Sequence, residues 1–504
     1  MSHLTILLAV VRLGVPFTDG AVLQRDRPIP VWGEAAAGET VRVSFGGQTV
    51  ETKAAENGCW RVDLAPCAAS GESRDLVVND IRVRDVVVGE VWLCSGQSNM
   101  EFPLCGGAVR YRDRQGALVA QMTHRPLVRF ANLSSRRGSP VELARPYRSC
   151  RWLRAIPENL LKDDAFSAVG IYYALEIHSA LDVPVGVIGV YFGGTRIEPW
   201  IPREGFATVS GLDAESAYRP SFGAEFSAER MRGLLPHYRD HHLQEHQQPS
   251  VLWNSHLAAL VPYAMRGVIW YQGCSNSRDY ERYTSMMHAL WNGWSRRFEN
   301  PKLPFYFVQI APYGWAQTLP QIQAAQARFA AEQPCAAMAV VNDLGNEFQE
   351  IHPNEKELVA KRLAVHALKR DYGFDWIQDE SPSVRSWRIE GNQFVLTLGN
   401  AKSLHYYNRD PDEPCRGFEI AGEDGVWHPA LIAEECLDRS STSHKGGILS
   451  TTITISSEEV SVPKKIRYLH VKPWRGALYN EVNLPLGSFD VGVGDQVQNE
   501  RKDK

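Results

Sequence analysis

The pattern of apolar and polar positions changes twice along the chain. Short runs that alternate apolar and polar residues come first, such as Thr40–Phe45 and Cys59–Leu64, separated by glycine, proline and asparagine. Alternation with a period of two predicts strands with one buried face. From Glu90 the chain has longer apolar strands and helical segments, and after Gly373 alternation returns, as in Gln393–Leu398. This order predicts an α/β domain between two β modules.

The central segment carries the signature of a parallel sheet. Residues Phe166–Leu181 have apolar positions at helical spacing, and the apolar run Pro184–Phe192 follows directly. A helix that leads into a fully apolar strand is typical of parallel sheets covered by helices. A further helix is predicted from Pro353 to about Arg370. The predicted domains are an N-terminal β module (1–88), a catalytic α/β domain (89–376), a C-terminal β module (377–495) and a disordered charged tail (496–504).

Composition narrows the function classes. The 504 residues are 44% hydrophobic and 22% charged with a net charge of −4, which is typical of a globular protein and gives no basic surface for nucleic acid. No apolar run has the length needed to cross a bilayer. The short apolar patch Leu4–Val11 lacks a basic n-region, so a signal peptide is only weakly supported beside a first strand or a truncated export signal. An exported or periplasmic and a cytoplasmic location both stay open, as does the oligomeric state.

The cysteines and histidines predict no metal site and no cofactor. Nine cysteines are spread without paired spacing, which fits neither a disulfide framework nor a zinc pattern. Four histidines lie close together, at 237, 241, 242 and 246, but no HExxH-type arrangement accompanies them. We therefore interpret residues 200–250 as a solvated helix or loop that covers part of the cleft.

The candidate nucleophile follows the longest apolar strand. The run from Val86 to Leu93 breaks abruptly into Ser95-Gly-Gln-Ser98-Asn. Hydrolases present a reactive serine on a glycine-containing turn at the carboxyl edge of a sheet. Serines in such turns elsewhere often only cap the next helix. Ser98 is the predicted nucleophile.

The candidate base lies some 250 residues later. Serine needs a base to take its proton, and His352 stands in Glu350-Ile-His-Pro-Asn. Pro353 suits the first helical position, which would make His352 the capping residue of the helix. A residue before proline favours extended backbone, and alternation would then put Glu350 and His352 on the same side. Glu350 is the candidate acid, and a Ser–His dyad oriented by a backbone carbonyl is the alternative.

Two further strand ends offer donors for an oxyanion. Gly193-Gly194-Thr195 follows an apolar strand, and Arg266–Tyr271 leads through Gln272 to Asn276. Glycine lets a backbone N–H approach closely, and asparagine supplies an amide. We prefer Gly194 to Gly193. The neighbouring aromatic residues Trp200, Trp270 and Tyr271 could stack on a sugar, although a place in the core is the favoured interpretation.

Several of these segments resemble the sialate O-acetylesterase family. The resemblance rests on Gly89–Glu101, on the region from Phe17 to Pro28, and on the segments around Gly193, Asn276 and His352. It also rests on two C-terminal segments that begin at Gly417 and Leu478. The resemblance implies an SGNH-hydrolase-like parallel sheet sandwiched by helices and flanked by β-sandwich-like modules. It also implies oxyanion donors at Gly194 and Asn276, and we assign the adjacent Gln272 and Arg196 to substrate binding.

The chain departs from the family pattern at three positions. Gln349 stands where SGNH hydrolases usually carry the acid, Glu350 where relatives often have aspartate, and Cys274 where the family usually has glutamate before Ser-Asn. The first expectation is a serine-dependent carbohydrate O-acetylesterase acting on sialic acid or xylan-type esters. The alternatives are a carbohydrate-binding protein that has lost activity and a lipid or thioester hydrolase. An acetylated carbohydrate is the expected partner, with no nucleic acid and no membrane.

Overall fold

The computed structural model describes residues 11–105, 113–162, 166–213, 245–313, 318–344, 351–407, 416–438, 445–470, 476 and 478–494. The chain divides into two compact units. The first comprises Met1–Ser275 and Ser285–Tyr306, and the second comprises Asn276–Thr284 and Phe307–Lys504. None of the described helices is long and apolar enough to cross a bilayer.

The first unit opens with the β-rich region that the alternating pattern predicts. Its strands are β1 (Arg12–Leu13), β2 (Val22–Gln24), β3 (Ile29–Glu34), β4 (Thr40–Phe45), β5 (Gln48–Lys53), β6 (Cys59–Leu64), β7 (Ser70–Val78) and β8 (Ile81–Gly96). Strands β1, β3 and β6 form a separate antiparallel sheet, while β4 pairs with β5 and β7, and β7 pairs with β8. In β6 every second residue is buried, as alternation requires.

Strand β8 continues without a break from this region into the central sheet. Other strands of this sheet are β9 (Arg125–Asn132), β10 (Trp152–Ala155), β11 (Val185–Tyr191), β12 (Gly267–Tyr271) and β13 (Phe305–Val308). The order is β10-β9-β11-β8-β12-β13, with β9, β11, β8 and β12 parallel and β10 antiparallel at the edge. The predicted domain boundary at 88/89 falls inside β8.

Helices cover this sheet, as an apolar parallel sheet requires. They are α1 (Ser98–Glu101), α2 (Gly116–Met122), α3 (Pro157–Leu160), α4 (Ala168–Leu181), α5 (Arg203–Phe206) and α6 (Tyr280–Arg297). All seven residues of β11 are buried, and α4 begins at the cap Ser167, whose hydroxyl accepts a hydrogen bond from the Gly170 amide. The helix-then-strand prediction for 166–192 is confirmed.

A buried carboxylate ties the N-terminal strands to the central sheet. Glu90 of β8 is fully buried and accepts hydrogen bonds from Arg266, Arg25 and Gln24. Burial raises the pKa of Glu90, but the hydrogen bonds and charges of the two arginines outweigh burial, so the pKa is lowered. Removing one partner of such a cluster leaves an uncompensated buried charge. The cluster around Glu90 therefore stabilises the contact between the N-terminal strands and the central sheet.

The second unit begins with α/β structure. It contains the last residues of β13, then α7 (Leu319–Glu332), β14 (Ala336–Ala339) and α8 (Lys356–Tyr372). Arg362 of α8 forms a buried bidentate pair with Asp343, at 2.6 Å for each of its two hydrogen bonds. Asn342 is also buried, accepting from Gln323 and donating to the carbonyl of Leu486. These polar contacts hold Asn342 and Asp343, which follow β14, against their own unit.

The start of α8 corrects one prediction. We expected the helix to begin at Pro353 with His352 as its cap, and this is wrong. The helix begins at Lys356, and Glu355 is the capping residue with φ −100° and ψ 62°. Asn354 follows the proline, and asparagine competes with helical backbone for hydrogen bonds. His352 therefore lies in a bend before the helix and is half-buried.

The rest of the second unit is β structure. Its strands are β15 (Ser383–Glu390), β16 (Gln393–Gly399), β17 (Leu404–Tyr407), β18 (Phe418–Ala421), β19 (Trp427–Ile432), β20 (Leu437–Asp438), β21 (Lys445–Ile448), β22 (Thr452–Ser456), β23 (Lys465–Tyr468), β24 (Leu478–Asn480) and β25 (Phe489–Gly492). They form a seven-stranded sheet, β15-β16-β22-β19-β18-β23-β25, and a four-stranded sheet, β20-β21-β17-β24. Residues of both sheets share one hydrophobic core.

A buried histidine in the first unit makes stability depend on pH. His256 accepts a hydrogen bond from the Ser135 amide and is fully buried. Burial lowers its pKa to about 4, although backbone hydrogen bonds at Leu252 and Ser135 oppose the shift. The unfolded chain therefore takes up this proton first as the pH falls through the window from the ordinary value to 4. His256 alone should lower the free energy of unfolding by about 2 kcal/mol between pH 7 and pH 5.

Urea unfolding at both pH values measures this effect. His470 of the second unit has a pKa lowered to about 4 by burial and by Arg467, so it adds to the same slope. The variant His256→Asn should lose its own share of the slope and keep that of His470. An identical slope in His256→Asn would contradict the assignment.

Candidate active site

The turn after β8 is fixed by a glycine that no other residue can replace. Gly96 has φ +142°, and a Cβ at this position would lie 2.3 Å from the carbonyl oxygen of Tyr271. The two neighbouring strands approach each other this closely because position 96 has no side chain. The chain then turns through Gln97 into α1, whose first residue is Ser98. Ser98 is half-buried at the carboxyl end of the central strand.

Gln97 joins this turn to the turn after β12. Its backbone N–H donates to the Tyr271 carbonyl at 3.0 Å, and its side-chain oxygen accepts from the Gly273 amide at 3.1 Å. Its side-chain nitrogen donates to the hydroxyl of Ser275 at 3.4 Å. Gln97 is 2% exposed. One buried amide therefore sets the spacing between two loops at the same edge of the sheet.

The Gly193-Gly194 turn lies against the serine. A Cβ at Gly193 would lie 3.2 Å from the Cβ of Ser98 and 2.9 Å from a carboxylate oxygen of Glu101, so this position needs glycine for space. The Gly193 amide donates to that same carboxylate at 2.7 Å. Gly194 has φ +77°, and no described atom would lie within 4 Å of a Cβ there.

The two glycine amides differ in their availability. The amide of Gly193 is occupied by Glu101, whereas among the described residues no acceptor binds the amide of Gly194. Glu101 also pairs with Arg136, whose guanidinium lies over the ring of Phe192 at 4.7 Å. The carboxylate of Glu101 thus fixes the turn from one side and leaves the second glycine facing open space.

Thr195 and Arg196, which follow the Gly193-Gly194 turn, are held by buried polar contacts. Thr195 donates to the Phe192 carbonyl and accepts from the indole N–H of Trp200. Gln272, which is fully buried, donates to the Thr195 carbonyl at 3.0 Å. Arg196, assigned to substrate binding with Gln272, is 6% exposed and forms an ion pair with the buried Glu198. In the described structure both side chains bind neighbouring protein groups.

The remaining predicted site residues fall in the second unit or outside the described chain. Asn276 follows Ser275 directly in the short 3₁₀ helix Cys274–Asp279 and is 1% exposed. His352 lies in the bend before α8. Glu350 and the neighbouring Gln349 lie outside the described residues, so the partner of His352 on that side stays a prediction.

A second histidine in this unit has the orientation expected of a catalytic base. His366 on α8 is buried, and its Nδ1 lies 3.1 Å from Oδ2 of Asp379. Arg370 and Lys369 bind the same carboxylate. Burial raises the pKa of Asp379, but the hydrogen bonds and charges of His366 and Arg370 hold it far below its usual range. A carboxylate shared with two basic side chains indicates a structural cluster that closes the end of α8.

The aromatic residues beside the strand ends belong to the core. Trp200, Trp270 and Tyr271 have no exposed surface, and Trp270 packs edge-on against Trp200 and Trp294. Burial raises the pKa of Tyr271 well above its ordinary value. The favoured interpretation of these residues as core is confirmed, and none of the three offers a stacking face to a sugar.

The histidine region beside the site is described only in part. His246 is 4% exposed and stacks on Phe192 at 4.6 Å, and its neighbour Gln247 binds the Gly194 carbonyl. The other three histidines of the group lie outside the described residues. Within the described ranges, no cluster of three or more histidine, cysteine or acidic side chains has the geometry to hold a metal ion.

Sequence reasoning missed the residues that organise the turns. Gln97 and Glu101 stand inside the quoted Gly89–Glu101 segment, yet their roles depend on partners 176 and 92 residues away. Arg136 has no local signal at all. The available hint was that Gln97 and Glu101 are polar residues next to a strand end, where an unpaired polar side chain would be costly.

Glu101 therefore should position the oxyanion turn. Glu101→Ala removes a charge-assisted hydrogen bond to the Gly193 amide, and we expect ester hydrolysis to show a kcat about tenfold lower with little change in KM. Glu101→Gln keeps an acceptor and should recover most of the rate. Steady-state acetate release measures both variants.

The matched control is Arg136→Ala. This variant removes the partner of Glu101 but leaves the carboxylate in place. The side chain of Arg136 is 62% exposed, so its loss should change kcat by less than about twofold. A folded Glu101→Ala variant with the wild-type kcat would contradict the positioning role.

A family model, several curated proteins and a solved structure are similar to this chain. Residues 241–369 match the family model described as carbohydrate esterase, sialic acid-specific acetylesterase. Sialate O-acetylesterases are similar along most of the chain. The rat protein is 26% identical over 447 residues, covering 80% of this chain and 81% of the relative, and the mouse protein is 28% identical over 450 residues, covering 80% and 81%. The human protein is 26% identical and covers 75% and 74%.

A solved structure is similar across nearly the whole chain. A carbohydrate acetylesterase from Xanthomonas citri superposes with a TM-score of 0.78 at 28% identity, covering 96% of this chain and 100% of that one. The resemblance to the sialate O-acetylesterase family, first seen in the strand-end motifs, is thus confirmed by a family model, by curated relatives and by a structure.

Proposed function

We propose that this chain, which resembles the sialate O-acetylesterases along most of its length, is a carbohydrate O-acetylesterase that uses Ser98 as its nucleophile. One observation carries the proposal. Ser98 is the first helical residue after the central strand, beside a Gly193-Gly194 turn whose second amide is without an acceptor among the described residues. A serine and an uncommitted N–H at the same strand edge are what acyl transfer requires.

The proposed reaction has two balanced halves. The Ser98 oxygen forms a bond to the acetyl carbonyl carbon while His352 takes the hydroxyl proton, and the oxyanion accepts hydrogen bonds from the Gly194 amide and the Asn276 side chain. The carbon–oxygen bond to the sugar then breaks, and the sugar oxygen takes the proton from His352. Water attacks the acetyl-enzyme in the same way, which releases acetate and restores the serine.

Several roles rest on the family resemblance. Glu350 is proposed to orient His352, with a dyad as the alternative, and the domain arrangement is proposed to be SGNH-like with the boundaries given above. Gln272 is better suited to shaping the Gly194 turn than to touching a sugar, because it is fully buried and bound to Thr195. Arg196 can serve the substrate only if its pair with Glu198 opens or is shared.

The substrate is proposed to be an O-acetylated sialic acid. The matched family is specific for sialic acid by its description, and the similar curated proteins carry the same name. The test is acetate release from 9-O-acetylated N-acetylneuraminic acid, acetylated xylo-oligosaccharides, p-nitrophenyl acetate and a long-chain thioester, together with labelling of Ser98 by a fluorophosphonate. The highest kcat/KM is expected for the sialic acid ester.

The other outcomes separate the alternative functions. A highest kcat/KM for acetylated xylo-oligosaccharides would move the substrate to xylan esters. Preference for the thioester would indicate a lipid or thioester hydrolase. Sugar binding without hydrolysis and without fluorophosphonate labelling would indicate a binding protein that has lost activity.

A further inference from the structure

The second unit contains a cleft that the proposed chemistry does not use. Its volume is about 950 Å³, large enough for one or two sugar rings. The walls come from the end of α7, from β14, from α8 and from the start of the C-terminal β region, including Ser383, Gly399 and Gly487. Ala330, Ala336 and Ala337 contribute small apolar groups to the lining.

A β-bulge places one arginine at this cleft. Val384 pairs with Leu398 and Ser386 with Thr397, so Arg385 is the extra residue of β15 between them. A bulge rotates the side chain away from the regular alternation of the strand, and bulges are common beside functional sites. Arg385 lines the cleft, and its stem crosses Gly399, since a Cβ at 399 would lie 3.6 Å from the Cβ of Arg385.

Arg385 is the cationic group of the cleft whose charge is not already matched. The other arginine, Arg370, donates to Asp379, Glu380 and the Ala336 carbonyl. Within the described part of the chain, no carboxylate or carbonyl binds the guanidinium of Arg385. A guanidinium of this kind binds a carboxylate through two parallel hydrogen bonds.

Besides the carboxylate of Glu380, which pairs with Arg370, the lining contains polar groups that suit hydroxyl and amide groups. Ser383, Asn400 and Ser488 contribute neutral polar side chains, and Phe489 adds an aromatic ring. Gln309, which also lines the cleft, is 1% exposed, and its amide oxygen has no hydrogen-bond partner. A buried acceptor without a donor is rare in folded proteins.

We infer that this cleft is a second, non-catalytic binding site for an acidic sugar, with Arg385 binding the sugar carboxylate and the neutral side chains binding its hydroxyls. The identity of the sugar rests on the proposed function, since a sialic acid carries both the ester and a carboxylate. The site would hold a sialic acid residue of the glycan on the unit that does not contain Ser98.

The test uses the full chain as Ser98→Ala, so that no turnover occurs. The probes are the methyl glycoside of N-acetylneuraminic acid without O-acetyl groups and the methyl ester of the same glycoside, which lacks the negative charge. Affinity is measured by NMR titration. Adding Arg385→Ala should weaken binding of the acid about tenfold and leave the ester unchanged, because a charge-assisted hydrogen bond is lost.

Two further variants make the location specific. Gly487→Trp adds a large side chain where no described atom lies within 4 Å of a Cβ, and should remove cleft binding of both probes. Arg388→Ala changes an exposed arginine of the same strand, paired with Glu390, and should change neither affinity. Thermal unfolding checks that each variant is folded.

The contrary results are equally defined. Binding of the acid that is unchanged in both Arg385→Ala and Gly487→Trp, or no binding at all, would overturn the proposal. Sulfate or acetate binding as tightly as the glycoside, with the same dependence on Arg385, would overturn the sugar as its ligand. Acetate release by the unmutated chain is measured separately, so the esterase proposal can fail or stand independently of this cleft.

Discussion

Replacing Ser98 with alanine is expected to lower kcat for O-acetyl sugar hydrolysis by at least about ten-thousand-fold. The hydroxyl oxygen of Ser98 forms the proposed bond to the acetyl group, and a neighbouring backbone amide cannot act as a nucleophile in its place. The side chain is half-buried at the start of α1, so loss of one oxygen should leave the fold intact. Acetate release under single-turnover conditions measures the effect, with the thermal midpoint as the check on folding.

Ser95→Ala is the matched control for this experiment. Ser95 lies three residues earlier, within β8, and its hydroxyl donates to the Val190 carbonyl at 2.6 Å in a fully buried position. Its loss should reduce the free energy of unfolding by about 1 kcal/mol and change kcat by only a few-fold. Wild-type acetate release from a folded Ser98→Ala variant would exclude Ser98 as the nucleophile.

Local patterns were sufficient to predict where the candidate site residues lie in the chain. The apolar run that ends at Leu93, followed by Ser-Gly-Gln-Ser, predicts a buried strand and a glycine turn, and the structure has β8 and Gly96 there. The same reasoning predicts the ends of β11 and β12, since each is a buried strand with a glycine two residues after its last residue. Strands with fully apolar sequences leave little choice about burial.

Contacts between distant segments were not predictable in this way. Nothing near Glu101 in sequence indicates that its carboxylate accepts the amide of Gly193, and nothing near Gln97 points to Gly273. Both contacts exist because β11 and β12 lie on either side of β8, and strand order is a property of the whole sheet. The prediction that α8 begins at Pro353 was wrong for a more local reason, because proline fits a turn as well as a first helical position.

Burial also distinguishes residues that bind substrate from residues that support the site, which the sequence alone does not. Arg196 and Gln272 looked suitable for binding a sugar, because polar residues at strand ends often do so. In the fold each satisfies a neighbouring group, Glu198 for the arginine and the Thr195 carbonyl for the glutamine. A polar residue that supports the turn and one that binds substrate have the same sequence signal, and only the packing around them separates the two.

Replacing His352 with glutamine is expected to lower kcat/KM by about a thousand-fold or more, the second largest effect we expect. Glutamine can hydrogen bond but cannot accept the serine proton at neutral pH. The loss should be accompanied by a changed pH profile, because the rate of the wild-type enzyme falls at acid pH when its base is protonated and the rate of the variant does not follow that base. Initial rates of acetate release between pH 5 and pH 9 measure both effects.

His366→Gln is the decisive comparison, because His366 is a buried histidine of the same unit whose ring is held by a carboxylate. Its ring binds Asp379, which also binds Arg370, so its loss should destabilise the end of α8 while hydrolysis by the folded variant changes less than about tenfold. Glu350→Ala then separates a triad from a dyad, since a triad acid should cost about a hundredfold or more and a bystander only a few-fold. If His366→Gln abolished hydrolysis and His352→Gln retained it, the base would have to be reassigned to His366, which is held by Asp379.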